Sequence, residues 1–259
     1  MTFPSCRAVA ALALLAAITI APGNVRAENY HSCVGFIDSV PATISTQGVW
    51  CLRKDLSTGI TSGNAITIAA NNVTIDCNGF KLGGLAAGDE STANGIYTHA
   101  RQNATVRHCN VRGFYHGIYL LSGAGHLVED NRLDNSLYAG IRVGGDNNLV
   151  QRNRVYKTGG APGVSGAVGI FASADVIDNS VVQMFADGPT PDLFGILASR
   201  GSLVRNNRVR ALQPSNGGAA YGIRANGFGA TVTDNQLSVS DHTGGSGISA
   251  GGITEAVCS

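Results

Sequence analysis

Seven times along the chain, an apolar residue is followed three positions later by the same polar residue and, two positions after that, by another apolar one. The polar position is Asn78, Asn131, Asn153, Asn179, Asn207 and Asn235, with Cys109 standing in for it once. The apolar residues before it are Ile75, Val106, Val128, Val150, Val176, Val204 and Val232; those after it are Phe80, Val111, Leu133, Val155, Val181, Val209 and Leu237. A Gly-Ile landmark runs in phase, at Gly95, Gly117, Gly140, Gly169, Gly195, Gly222 and Gly247. Two landmarks that alternate this regularly define a structural repeat.

The repeat constrains the fold tightly. Apolar residues alternate at period two and glycine punctuates each copy, which disfavours helical repeats. The Leu-x-x-Leu-x-Leu pattern of leucine-rich repeats is absent. Each copy is therefore expected to be one coil of a parallel β-solenoid, with apolar positions inward and stacked on the next coil. At one strand spacing per coil, seven copies span about 34 Å. Asn is expected at a bend, where it tolerates left-handed backbone, and its stacked amides are expected to form a ladder. Gly-Ile is expected to serve a second corner. These features are structural, so none of the repeated Asn residues is a catalytic candidate.

Composition agrees with one domain and a sizeable core: 44% hydrophobic, 14% charged, 35 glycines. A net charge of +1 implies no bulk attraction to nucleic acid or anionic membrane. Residues 1–27 read as an export signal: Arg7, an apolar run from Ala8 to Ile20, and Val25-Arg26-Ala27 as the cleavage site. The expected location is secreted or periplasmic, with no membrane insertion once the signal is removed. Five cysteines then remain, Cys33, Cys51, Cys77, Cys109 and Cys258. An odd number leaves at least one unpaired or intermolecular. Cys33–Cys51 is the preferred pair, and the absence of Cys-x-x-Cys spacing speaks against structural zinc. Residues 28–61 are expected to cap the solenoid formed by 62–259, shielding its first strand edges. The tail after Gly247 either folds over the last coil or leaves that end to another chain.

The stretches SVPATISTQGVWCLRKDL, AITIAANNVTIDCNGFKLGG and NATVRHCNVRGFYHGIYL resemble the opening of secreted bacterial right-handed parallel β-helix repeat proteins of the pectate-lyase-like group. The resemblance runs from Cys33 to Ile248. It implies an all-β, single-stranded, right-handed parallel β-helix of about seven or more coils. For activity it implies only a range, from lyases, hydrolases and epimerases to non-enzymatic domains.

A rod must carry function on its outer faces or loops. The segment between the post-Asn strand and Gly-Ile is long in the first coil and the last four, but short in coils two and three (RGFYH and DNSLYA). Long loops would flank a gap there, and a groove between walls suits a polymer. The short loops carry Arg112, Tyr115, His116, Asp134 and Tyr138; outward positions beyond Gly-Ile add Tyr97, Tyr119, Arg142 and Phe171. Aromatic rings suit sugar faces and Arg suits carboxylates, which points to an acidic polysaccharide. In a β-elimination, Arg112 or Arg142 would neutralise the uronate carboxylate, His116 or Tyr115 would take the C5 proton, and Tyr119 or Tyr138 would protonate the leaving oxygen. Epimerisation shares the first step. Tyr97, Asp134 and Phe171 would bind substrate.

Other motifs point elsewhere or nowhere. Asp187 and Asp192 could assist calcium, although two carboxylates fall short of its six to eight oxygens. Glu129 and Asp130 face opposite ways on a strand, against a paired-carboxylate hydrolase. The Asp-Pro-His-Asp motif of alginate-type epimerases and the Asn-Thr-Asp, Asp-Asp and Gly-His-Gly motifs of polygalacturonases are absent. Arg107, Arg132, Arg154, Arg205 and Arg208 follow the ladder strands as a basic stripe; without an aromatic platform it speaks against nucleic acid. The alternative to a carbohydrate-active protein is a non-catalytic exported scaffold that presents loops on a stiff rod.

Overall fold

The computed structural model describes residues 30–164, 166–186, 191–199, 201–215, 218–226, 229–238, 246–250 and 253–258. The expected export signal, residues 1–27, lies outside them, as does Asp187. The chain winds as a right-handed parallel solenoid with three strands per coil. Sheet I holds nine strands in strict chain order, from Ala42–Ile44 through Asn64–Ile68, Asn94–Gln102, His116–Ala124 and Ala139–Val143 to Ser246–Ala250. Sheets II and III follow it in each coil. They are linked into one seventeen-stranded assembly, and Ala230–Ser238 pairs within both.

Every pairing between neighbouring strands is parallel, and between the first and last strands of the stack, where Cys33–Phe36 and Ile253–Cys258 pair with register shifts, the pairing is in register, so like residues stack. In sheet I, Ile66, Ile96, Ile118, Ile141, Ile170, Ile196 and Ile223 form one file. Sheet II contributes Ile75, Val106, Val128, Val150, Val176, Val204 and Val232. Sheet III contributes Leu82, Val111, Leu133, Val155, Val181, Val209 and Leu237. The first two files are fully buried, each side chain gaining about 1.5–3 kcal/mol from burial. In the first coil, Leu82 rather than Phe80 pairs with Val111. The turn at Asn78 and Gly79, both at positive φ, shifts that coil by two residues.

The Asn ladder exists, but its residues play a different part from the one expected. Asn131, Asn153, Asn179, Asn207 and Asn235 are buried. Each of the first four donates Nδ2 to the next Oδ1 at 3.0 Å. The left-handed conformation falls on the residue before: His108, Asp130, Arg152, Asp178, Asn206 and Asp234, with φ between 53° and 60°. That arrangement exposes one residue at the bend and turns the Asn amide inward. There its Oδ1 also accepts the backbone N–H of the Asn in the preceding coil, as from Asn131 to Asn153 at 3.1 Å. Toward the N-terminus the ladder ends at Cys109, which accepts no amide but is bonded to Cys77. This second disulfide was not foreseen; Cys33–Cys51 was.

Gly-Ile does not form a corner. Gly95, Gly117, Gly140 and Gly169 lie inside sheet I strands. They are needed for close approach. A Cβ at Gly117 would sit 2.6 Å from Leu133 Cδ2 and 2.8 Å from the Gly140 carbonyl of the next coil. Inside residues 28–61, Ala42–Ile44, Gly48–Cys51 and Leu56–Ser57 add one strand to each sheet, and Cys33–Phe36 adds one more to sheet II. At the other end, the tail continues the stack: Ser246–Ala250 pairs with Ala220–Ala225, and Ile253–Cys258 with Ala230–Ser238. No helix among the described residues is long and apolar enough to cross a membrane.

Candidate functional site

Register on sheet I places Tyr97, Tyr119, Arg142, Phe171, Leu197 and Arg224 in one outward row. Strand pairing sets neighbours one coil apart, about 4.8 Å, so long side chains must touch. The Tyr97 and Tyr119 rings meet edge-on at 5.5 Å. The Arg142 guanidinium lies over both Tyr119 (5.0 Å) and Phe171 (5.1 Å). Held between two rings, it keeps its planar fork at the surface, where it can take a carboxylate through two N–H groups.

A second group adjoins this row. Tyr115 and Tyr138 stack at 5.2 Å, and the His116 ring packs against Tyr115, Tyr119 and Tyr138 at 4.8, 4.5 and 5.6 Å. His116 is only 6% exposed. Its Nδ1 lies 2.8 Å from Asn94 Oδ1, an obligate acceptor, which assigns the proton to Nδ1. Nε2 is then a lone-pair nitrogen, buried and without a partner among the described residues. Burial, reinforced by the Arg142 charge, pushes the His116 pKa down to about 4. Burial raises the Tyr115 hydroxyl above its usual range, with Tyr138 adding to the shift and Arg142 opposing it. Both groups are thus held neutral near pH 7.

The nine sequence candidates separate into two sets. Tyr97, Tyr115, His116, Tyr119, Tyr138, Arg142 and Phe171 come together on sheet I. Arg112 and Asp134 do not join them. Both lie on sheet III, paired with each other at 2.8 Å. The gap at coils two and three is present as a concavity of about 300 Å³. It is lined by Leu85, Gly88 and Asp89 on the first coil's loop, by Gly113, Asn135 and Leu137 of the short loops, and by Gly159, Gly160 and Phe185. The aromatic group is not among its lining residues.

One cluster was not foreseen. Phe194 and Tyr221 stack at 5.1 Å, and Arg224 lies over both, at 5.4 and 5.2 Å. Both rings occupy the position immediately before Gly-Ile, the same one as His116, so the sequence carried the signal. Among the described residues, no three His, Cys, Asp or Glu side chains gather as a metal site. Asp192 accepts the Ala219 N–H at 3.3 Å.

Residues 94–255 match the family described as "right handed beta helix region". The crystal structure of Dettilon tailspike protein (gp208) is similar, with a TM-score of 0.40 at 15% identity over 84% of this chain. The chain spans 60% of that protein's length. No curated protein matches.

Proposed function

The chain belongs to the right-handed β-helix family, and from that premise we propose that it is an exported protein that binds an acidic polysaccharide along the outer face of sheet I. The observation that carries this reading is the row Tyr97–Tyr119–Arg142–Phe171. It sets aromatic rings on either side of a guanidinium that no carboxylate of the described residues neutralises. A uronate residue matches that alternation, its ring on an aromatic face and its carboxylate on Arg142.

The geometry favours binding over turnover. A base for β-elimination must reach the C5 proton, but His116 Nε2 is covered and Arg112 is engaged by Asp134. Lyase or epimerase chemistry at this face would require the tyrosine rings around His116 to part when substrate binds.

Calorimetric titration with polygalacturonate tests the proposal, with ultraviolet absorbance of the unsaturated product followed in parallel. Binding that disappears in Arg142→Ala and weakens in Tyr119→Ala, without turnover, is the expected result. Turnover lost in His116→Ala would turn the reading into a lyase. Absence of binding to any acidic or neutral polysaccharide tried would replace it with the scaffold reading.

A further inference from the structure

Several cations on the surface of this rod are paired with acids on adjacent coils. Lys81 meets Asp55, Arg107 meets Asp76, Arg112 meets Asp134, and Arg152 meets Asp130. Farther along sheet III the pairing stops. Arg132 stands directly opposite Arg154, Arg154 opposite Ser180, and Ser180 opposite Arg208. Arg210 sits in the parallel row, which reads Asp134, Tyr156, Val182, Arg210. All four arginines are exposed, and none has a carboxylate partner among the described residues.

Like charges facing each other across a strand pair destabilise a sheet. The nearby acids do not relieve them: Asp134 is held by Arg112, Asp130 by Arg152, and Asp178 accepts the Asn206 amide. The four arginines, Ser180 and Tyr156 line one cleft of about 540 Å³. Tyr156, 42% exposed, is one of four exposed large hydrophobic residues among those described, and with Lys157 Nζ 5.5 Å from its centroid it brings an aromatic ring to the basic stripe. Arg132 to Arg208 covers three strand spacings, about 14 Å. An extended sugar chain advances one residue over a distance comparable to one coil.

We propose that this cleft on sheet III is a second, separate binding site for the oxyanion groups of a linear anionic polysaccharide, with Arg132, Arg154, Arg208 and Arg210 as the anion contacts and Tyr156 as the ring platform. A single exposed ring suits a sugar better than a nucleic acid, whose bases need successive platforms. The site is independent of the sheet I reading, since no residue is shared.

The test is calorimetry on the full chain with four probes: dextran sulfate, polygalacturonate, uncharged dextran and single-stranded DNA. Arg154→Ala combined with Arg208→Ala is compared with a charge-matched control, Lys54→Ala with Arg205→Ala, and with Arg142→Ala on sheet I. Loss of the charge-assisted contacts should weaken dextran sulfate, polygalacturonate or both roughly tenfold. Which polymer responds tells sulfate from carboxylate. Tyr156→Ala should weaken the same probe, the control pair should not, and uncharged dextran should not bind. The thermal midpoint of the arginine double variant should hold or rise, as a like-charge contact is removed. Equal loss in the control pair, or no loss in the double variant, would overturn the proposal. Tighter binding of single-stranded DNA through the same arginines would overturn the carbohydrate assignment. Loss in Arg142→Ala alone would leave the sheet I reading standing and remove this one.

Discussion

Asn153 donates its side-chain amide to Asn179 Oδ1 at 3.0 Å, fully inside the rod. The same side chain accepts the Asn131 backbone N–H and donates to the Val128 carbonyl at 2.8 Å. Asn153→Ala would strand several buried polar groups at once. The expected loss is about 2–4 kcal/mol, read as a lower urea midpoint with an unchanged slope. A loss below about 0.5 kcal/mol, the usual range for surface changes, would mean that water replaces the amide.

Gly140 should be intolerant of a methyl group for steric reasons alone. Its added Cβ would lie 2.5 Å from Val155 Cγ1 and 2.8 Å from the Gly169 carbonyl, which belongs to the next coil and cannot rotate away. Gly63 is the useful contrast. It sits at φ +82° with nothing within 4 Å of an added Cβ. Gly63→Ala should cost about 1 kcal/mol through backbone conformation. Gly140→Ala should cost more, about 1–3 kcal/mol from overpacking. Equal losses in thermal unfolding would contradict the close-approach account.

Stability should fall as pH drops from about 6.5 toward about 4, the window between an unfolded histidine and folded His116. The sign follows from proton uptake. The folded pKa is depressed, so in that window the unfolded chain holds more protons and gains on acidification. His126 acts in the same direction: burial lowers its pKa against a weaker opposing bond to the Ser122 carbonyl. Its Nδ1 accepts the Ala104 N–H at 3.2 Å, a bond that a protonated ring cannot accept. His116→Gln should flatten the pH dependence of the urea midpoint. His126→Asn should flatten it further while keeping the fold, because Asn148 already takes a backbone N–H at the corresponding place one coil on. An unchanged pH slope in both variants would exclude these two histidines as its source.

The two disulfides should differ in accessibility to reductant. Cys77 and Cys109 are both buried, whereas Cys33 is half-exposed at the N-terminal end of the stack. Under native conditions Cys33–Cys51 should be reduced and alkylated first, with Cys77–Cys109 protected until the coil opens. Mass mapping of the labelled thiols over time checks the order; simultaneous labelling would indicate early opening of the first coils.

Much of this architecture was legible because a solenoid repeats its constraints. Each Val of the Val128–Val150–Val176 file faces the same surroundings as the next, so the sequence periodicity is the spatial one. Conformation within the coil was harder to read. Asn131 and Asp130 both suit a left-handed bend, and only the inward demand of the ladder decides that Asp130 takes it. Gly117 would serve a turn or a close approach equally well in one dimension; the Gly140 carbonyl decides for the latter. At the site, outward positions beyond Gly-Ile stack as expected because register is periodic. Arg112 strays because its short loop crosses from sheet III to sheet I. Proximity in the chain there hides a change of face. The facing arginines were visible as a stripe, but their lack of partners depended on neighbours one coil away.

The amide ladder also gives the rod an electrical direction. From Asn131 to Asn207, each Nδ2 donates to the Oδ1 of the Asn one coil nearer the C-terminus, so the bonds of the ladder all run one way. Aligned in this way, the dipoles polarise one another, and each bond strengthens its neighbours. An interruption at Asn179 breaks that mutual reinforcement on both sides, whereas one at Asn235 shortens the series only at its end. Identical substitutions should therefore weigh more heavily in the middle of the file than at its terminus.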